Sequence, residues 1–186
     1  MDFSDLIKKH KKKSIIDFDS PSLVKTDYDK EKIYKIIPNR EPFIFLDRIT
    51  GVDLKNQCIT GTRKILKDDP VFEGHSPGMH VYPGVLQLEM ISELFCCLYY
   101  FVSNNTVDDL NKPHVNLRAT RMHDALLQYG LFPEDEVTIA TKVLENNGLT
   151  FTGIGQIIKN GQIPLLVISE FLPKVNFKQR IWPEPV

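Results

Sequence analysis

The sequence has few cysteines and almost no net charge. Its 186 residues include three cysteines, and 23 basic side chains face 24 acidic ones. An odd cysteine count, with Cys96 and Cys97 adjacent, does not suit a disulfide framework. A general nucleic-acid binder would normally be basic over its whole domain. The composition therefore argues against a nucleic-acid partner and favours buried thiols in a reducing compartment.

An export signal and a long apolar run are also missing from the pattern. The N-terminal residues Met1-Asp2-Phe3-Ser4 lack the apolar segment that a signal peptide needs. The most apolar stretch, Ile91 to Val102, contains Glu93 and is too short for a bilayer-spanning helix. We therefore expect a cytoplasmic protein without a membrane span.

The chain length fits one domain with flanking segments. We predict a basic N-terminal extension at residues 1–28, a folded domain at residues 29–175 and a C-terminal tail at residues 176–186. The extension contains a basic run at residues 8–13, Lys8-Lys9-His10-Lys11-Lys12-Lys13. We expect a solvated or loosely docked arm. Contact with an acidic partner or a membrane surface is the alternative.

The hydrophobic pattern predicts one long helix and about six strands. Residues 84–103 are apolar nearly all round at helical spacing, which is typical of a helix buried on most sides. The turns Asn147-Gly148 and Asn160-Gly161 predict a three-stranded antiparallel meander, because both turn residues tolerate positive φ. The predicted strands are residues 43–52, 58–66, 115–121, 136–144, 149–159 and 162–172, and a short helix is predicted at residues 30–37. An α+β fold follows, with an antiparallel sheet wrapped around a central helix.

The segment before the long helix contains the candidate catalytic groups. His75 lies in a loop rich in glycine and proline, and Pro83-Gly84 stands where the helix begins. The first N–H groups of a helix have no intrahelical acceptor and lie at the positive end of its dipole. This end of the helix therefore suits a carbonyl oxygen that gains negative charge. His75 is a candidate general base.

Glu89 is the matching candidate acid. It lies about 7.5 Å along the helix axis from Gly84 and has mostly apolar neighbours. Such surroundings should raise the pKa of a carboxyl group, which suits a proton donor near neutral pH. A lone loop histidine or a lone helix glutamate is more often structural, so the residues alone leave both interpretations open.

The segment resembles the 3-hydroxyacyl-[acyl-carrier-protein] dehydratases of the FabZ and FabA type. The resemblance rests on Gly74-His75-Ser76-Pro77-Gly78, on Pro83-Gly84-Val85 and on a glutamate at the family's acid position, Glu89. Upstream, Pro38-Asn39-Arg40-Glu41-Pro42-Phe43 and Leu46-Asp47-Arg48 are similar to the family's entry motif.

The resemblance implies a hot-dog fold and the dehydration of a 3-hydroxyacyl thioester to a trans-2-enoyl thioester, in fatty-acid or polyketide-like biosynthesis. It implies that His75 removes the α-proton and that Glu89 protonates the departing hydroxyl. Gly84, Val85 and Ser76 would bind the substrate, with the Gly84 N–H on the thioester carbonyl. No metal or organic cofactor is implied.

The resemblance also implies partners. A homodimer, or an oligomer built from dimers, would enclose an acyl tunnel at its interface. An acidic acyl carrier protein would deliver the substrate on its phosphopantetheine arm. Lys112, Arg118 and Arg121 are candidate basic residues for binding this carrier.

Three departures from the family pattern indicate a specialised relative. Ser76 replaces a phenylalanine, His80 replaces a proline, and Glu93 stands where glutamine is usual. Two other functions are possible for the same fold. One is a hot-dog acyl thioesterase, and the other is a non-catalytic acyl-binding or assembly subunit.

Overall fold

The chain folds around one antiparallel sheet and one long helix. A computed structural model describes residues 3–115 and 117–173. Their elements are α1 (Phe3–His10), β1 (Val24–Tyr28), α2 (Lys30–Ile33), β2 (Arg48–Asp53), β3 (Cys58–Lys64), α3 (Val71–Gly74), α4 (Gly84–Asn104), β4 (Leu117–Leu127), β5 (Glu136–Asn146), β6 (Phe151–Lys159) and β7 (Gln162–Pro173). The sheet order is β1-β2-β3-β5-β6-β7-β4, with antiparallel neighbours throughout. This is the predicted α+β architecture. The predicted tail, residues 176–186, lies outside the described residues.

The core lies between α4 and the sheet. Buried side chains of the helix, including Met90, Leu94, Leu98 and Phe101, join one apolar cluster with the inner face of the sheet. By its 21 residues and its mean hydropathy of 1.5, α4 is long and apolar enough to cross a membrane, contrary to the expectation from the sequence. Its burial against the sheet is instead that of a core helix.

Glycines let the helix approach the sheet closely. A Cβ atom at Gly153 would collide with the Phe95 ring, and one at Gly155 would collide with Ile91. Gly153 and Gly155 lie two positions apart on β6, so both point to the same face of the sheet. The backbone of β6 therefore packs directly against α4 and fixes the position of the helix.

The outer face of the sheet is covered by the N-terminal segment. Ile7, Ile15 and Ile16 are buried against outer-face side chains such as Ile154 and Leu166. β1 also pairs with β2. Residues before 29 therefore pack more tightly than the loosely docked arm expected from their charge, because β6 and β7 are apolar on both faces.

Gln156 fastens this segment from the middle of β6. Its side chain is fully buried. Its Oε1 accepts from the Ile15 N–H at 2.9 Å, and its Nε2 donates to the carbonyls of His10 at 2.7 Å and Lys13 at 2.9 Å. One amide side chain thus satisfies three backbone groups of the N-terminal segment.

Several element boundaries differ from those predicted. β2 begins at Arg48 rather than at residue 43, because the Phe45 N–H donates to a side chain, Glu93, and not to a neighbouring strand. β4 continues to Leu127 because it pairs with β7 along its whole length, although His123 and Asp124 interrupt its apolar pattern. α2 is shorter than predicted, and α3 forms inside the glycine- and proline-rich loop.

We predict that Gln156→Met lowers the free energy of unfolding by about 2 kcal/mol, because it leaves buried backbone donors and acceptors without partners. Chemical denaturation measures the change. Gln162→Met, at an exposed position on β7, is the control and should alter stability by less than about 0.5 kcal/mol. Equal stability of the two variants would contradict the fastening role of Gln156.

Candidate active site

The loop before α4 has an unusual but well-bonded backbone. Ser76, Gly78 and His80 all have positive φ angles, at 52°, 88° and 46°. The Met79 N–H donates to the Ser76 carbonyl at 2.9 Å, and the Tyr82 N–H donates to the Leu131 carbonyl at 2.7 Å. The loop is therefore bonded within itself and anchored to the segment that follows β4.

His75 is oriented by this loop. Its backbone N–H donates to the Val71 carbonyl at 2.9 Å at the end of α3, and its ring Nδ1 lies 2.9 Å from the Val81 carbonyl oxygen. A carbonyl can only accept, so Nδ1 holds the proton of the neutral ring and Nε2 keeps its lone pair. His75 is thus set up to accept a proton at Nε2. It lines a cavity of about 280 Å³ together with Gly84, Gln87 and Gln128.

The start of α4 lies at the same cavity. The N–H groups of Leu86 and Gln87 donate to the Pro83 carbonyl, at 3.1 and 3.2 Å. No side chain in the described part of the chain caps this helix start. The N–H groups of Gly84 and Val85 precede the first intrahelical bonds and can therefore bind an anionic oxygen.

The side chain of Leu127 packs close to Gly84. A Cβ atom at Gly84 would meet the end of this half-exposed side chain, which would have to shift. The predicted substrate-binding residues Ser76 and Val85 are both exposed, and the Val85 side chain is 71% exposed.

Glu89 lines a different cavity. This second cavity, of about 150 Å³, is bordered by Asn39, Ser92, Glu93 and Cys96, and by residues of β4 and β7. Burial raises the pKa of Glu89, as its apolar neighbours predicted. Within one chain, His75 and Glu89 therefore open onto separate cavities.

Glu93 lies one helical turn beyond Glu89 in the same cavity. It is only 2% exposed, and its two carboxyl oxygens accept from Asn39 Nδ2 at 3.1 Å and from the Phe45 N–H at 2.8 Å. Burial raises the pKa of Glu93 to about 8; the charge of Glu89 also raises it, while the hydrogen bonds from Phe45 and Asn39 lower it. Across residues 3–115 and 117–173, no group of three or more His, Cys, Asp or Glu side chains is placed to hold a metal ion.

The three predicted carrier-binding residues are not lining residues of either cavity, although Arg118 lies between Leu117 and Ala119, which line the Glu89 cavity. Lys112 follows α4 and forms an ion pair with Asp109 at 3.2 Å. Arg118 and Arg121 are exposed on the edge strand β4. None of the three lines the cavity of His75 or that of Glu89.

Two glutamines at the His75 cavity were not singled out from the sequence. Gln87 donates to the Tyr82 carbonyl at 3.2 Å, while its buried Oε1 has no partner among the described residues. Gln128 joins the cavity from the segment after β4. The available signal for Gln87 was a polar side chain within an otherwise apolar helix. No local pattern marks Gln128, because its position depends on the length of β4.

The family is shown by comparison with known proteins. A family model described as the FabA-like domain matches residues 37–165. The chain belongs to the FabA-like family. The "3-hydroxyacyl-[acyl-carrier-protein] dehydratase FabZ" of Geotalea uraniireducens is 30% identical over 152 residues, covering 82% of this chain and 98% of that protein. The protein of the same name from Campylobacter jejuni is 30% identical over 135 residues, covering 73% and 90%.

Solved structures show the fold. A chain of the dehydratase heterocomplex ApeI:P from Xenorhabdus doucetiae superposes with a TM-score of 0.61 at 12% identity, covering 77% of this chain and 91% of that one. A hypothetical thioesterase from Streptococcus pneumoniae, solved with coenzyme A, gives a TM-score of 0.53 at 9% identity, covering 78% and 95%. The predicted hot-dog fold is confirmed.

We predict that Glu89→Gln lowers the pKa of Glu93, because a neutral amide removes the nearby negative charge that adds to the effect of burial. A carbon-13 NMR titration of the Glu93 carboxyl measures the change. Glu145→Gln removes an exposed carboxylate from β5 and should leave that titration as it is. An equal effect of both variants, or of neither, would contradict coupling between the two helix carboxyls.

Proposed function

We propose that this protein dehydrates a 3-hydroxyacyl thioester, bound to an acyl carrier protein, to a trans-2-enoyl thioester in fatty-acid or polyketide-like biosynthesis. The observation that carries the proposal is the set of groups around the start of α4. The hydrogen bond at Nδ1 of His75 leaves Nε2 able to accept a proton, and burial raises the pKa of Glu89. Among the described residues, no side chain caps the start of α4 at Gly84 and Val85. The dehydratase relatives support the same reaction.

These groups account for each proton transfer of the reaction without a cofactor. Nε2 of His75 takes the α-proton, and the electron pair moves toward the thioester carbonyl, whose oxygen is stabilised by the N–H of Gly84. Glu89 then gives its proton to the 3-hydroxyl group, the C–O bond breaks, and water leaves as the double bond forms. His75 ends protonated and Glu89 ionised, and proton exchange restores both.

A complete site requires a second copy of the chain. The two cavities separate His75 from Glu89 within one protomer. Large apolar side chains at least half exposed lie in the His75 loop, at the helix start and around the end of β4: Met79, Val85, Leu127 and Tyr129. Exposed apolar surface of this kind is typical of an interface. We propose a homodimer in which His75 of one protomer faces Glu89 of its partner.

Ser76 and Val85 have matching roles in this proposal. Both are exposed within one protomer, and both would border the acyl chain once a partner covers them. We keep Arg118 and Arg121 as candidate carrier contacts on β4, and Lys112 as a third. We also propose a cytoplasmic location, where acyl carrier proteins supply thioesters.

Incubation with a carrier-bound 3-hydroxyacyl thioester tests the reaction. Mass spectrometry of the carrier should show loss of water with the thioester intact. Release of the free carrier thiol would identify a thioesterase instead. A bound acyl chain without turnover would identify a non-catalytic acyl-binding subunit.

The shared site predicts rescue between two inactive variants. His75→Ala and Glu89→Gln should each be nearly inactive alone, because each homodimer lacks one essential group at both sites. In a mixed dimer, one site keeps an intact histidine and an intact glutamate. Random pairing after joint refolding makes about half of the dimers mixed, so about a quarter of the parent activity should return.

Each variant refolded alone is the control and should remain inactive. The proportion of mixed dimers is established by native mass spectrometry. If mixed dimers form but no activity returns, His75 and Glu89 do not share a site across the interface.

A further inference from the structure

The basic run, residues 8–13, presents an unbalanced cluster of positive charge. Lys8 forms an exposed ion pair with Asp5 at 3.3 Å. Four further exposed lysines form no ion pair within the described part of the chain: Lys9, Lys11, Lys12 and Lys13. Lys142 also lies near His10. Burial lowers the pKa of His10, and the positive charges of Lys9 and Lys142 lower it further.

The backbone under these lysines is held in place. Gln156 bonds to His10, Lys13 and Ile15, and Ile7 and Ile15 are buried against the sheet. A tail that was only solvated would not make these contacts with the sheet. The lysine side chains therefore project from a fixed position on the domain.

That position is next to the His75 cavity. Gln128 lines the cavity with His75, and its Nε2 donates to the Lys11 carbonyl at 2.9 Å and to the Ile163 carbonyl at 2.8 Å. One side chain thus connects the middle of the basic run to the cavity wall. The basic run does not line this cavity, nor do Lys112, Arg118 and Arg121, but the Gln128 hydrogen bond joins the basic run to the cavity wall.

We propose that the basic run is the docking surface for the acidic carrier protein that delivers the acyl thioester to the His75 cavity. The inference rests on the proposed function and names the surface that this function uses. Lysines at the rim of a cavity attract an acidic partner and speed its encounter. The carrier would then sit where its acyl arm can enter beside Gln128.

An anionic membrane is the less suitable partner. A helix that lies on a membrane needs an apolar face free to enter the bilayer surface. In α1 that face is already occupied. Ile7 is buried in the outer-face cluster, and the ring of Phe3 packs against that of His123 on β4 at 4.6 Å between centroids.

The double variant Lys11→Glu/Lys12→Glu, called the arm variant below, tests the proposal. With the carrier-bound substrate, we expect KM to rise about tenfold with kcat unchanged, because charge reversal weakens docking but leaves the reacting groups in place. With the same acyl group on N-acetylcysteamine, which lacks a carrier, kcat/KM should equal that of the parent. Raising the salt concentration should reduce the difference in KM for the carrier-bound substrate between the parent and the variant, because salt screens the charges.

A matched control carries the same change in net charge elsewhere. Lys32→Glu/Lys35→Glu alters two exposed lysines at and just after α2, and its KM for the carrier-bound substrate should equal that of the parent. Equal KM values for the arm variant and this control would overturn the proposal. So would a larger effect from Arg118→Glu/Arg121→Glu than from the arm variant.

Two further results separate the alternatives. If the arm variant keeps its carrier kinetics but no longer sediments with vesicles of anionic phospholipid that bind the parent, the surface is a membrane site and the proposal is wrong. If the parent dehydrates neither thioester, the proposed function fails. Calorimetric titration with the acylated carrier still tests docking in that case, and equal affinity of parent and arm variant would overturn it.

Discussion

The contact between α4 and β6 is the constraint on which the rest of the structure depends. Because Gly153 and Gly155 have no side chains, Phe95 and Ile91 of the helix pack directly on the strand. This contact fixes the rotation of α4, so Glu89 and Glu93 face the cavity beside β4 and β7 rather than the glycines of β6. It also fixes the start of the helix, where the N–H groups of Gly84 and Val85 lie at the His75 cavity.

Burial raises the pKa of both helix carboxyls, but the two differ in their hydrogen bonds. Glu93 is almost fully buried, but hydrogen bonds from Asn39 and Phe45 offset part of the cost of its charge. Glu89 has burial as the cause of its raised pKa, and its proton is therefore held more firmly than that of an exposed carboxyl. Glutamate at residue 93, where the resembling family usually has glutamine, thus binds both the Asn39 side chain and the Phe45 backbone next to Glu89.

The two faces of the sheet pack against different parts of the chain. The inner face packs on α4 and builds the two cavities, while the outer face is covered by the N-terminal segment. The covering segment is amphipathic in its contacts: Ile7, Ile15 and Ile16 turn inward, and the lysines turn to solvent. The same residues that complete the outer core thereby bring positive charge to the edge of the His75 cavity, through Gln128.

Much of the fold could be predicted from the sequence because its signals are local. The apolar run of α4 and the turns Asn147-Gly148 and Asn160-Gly161 depend on side chains close together in the chain, and they gave the central helix and the meander. The strand limits were less accurate where a distant group decided them. β2 starts late because Glu93, 48 residues further on, takes the Phe45 N–H.

The sequence by itself determined which residues are candidates for chemistry, since His75, Gly84 and Glu89 lie in one short motif at a helix start. Only the tertiary structure decided how they are arranged: the loop directs His75 to one cavity, and the rotation of α4 directs Glu89 to another. It also decided that the N-terminal segment is docked, because a buried glutamine on β6 bonds to backbone groups about 140 residues away, as the separations of 141 to 146 residues show. Such contacts join parts of the chain that no local pattern relates, and they form only when the sheet brings those parts together.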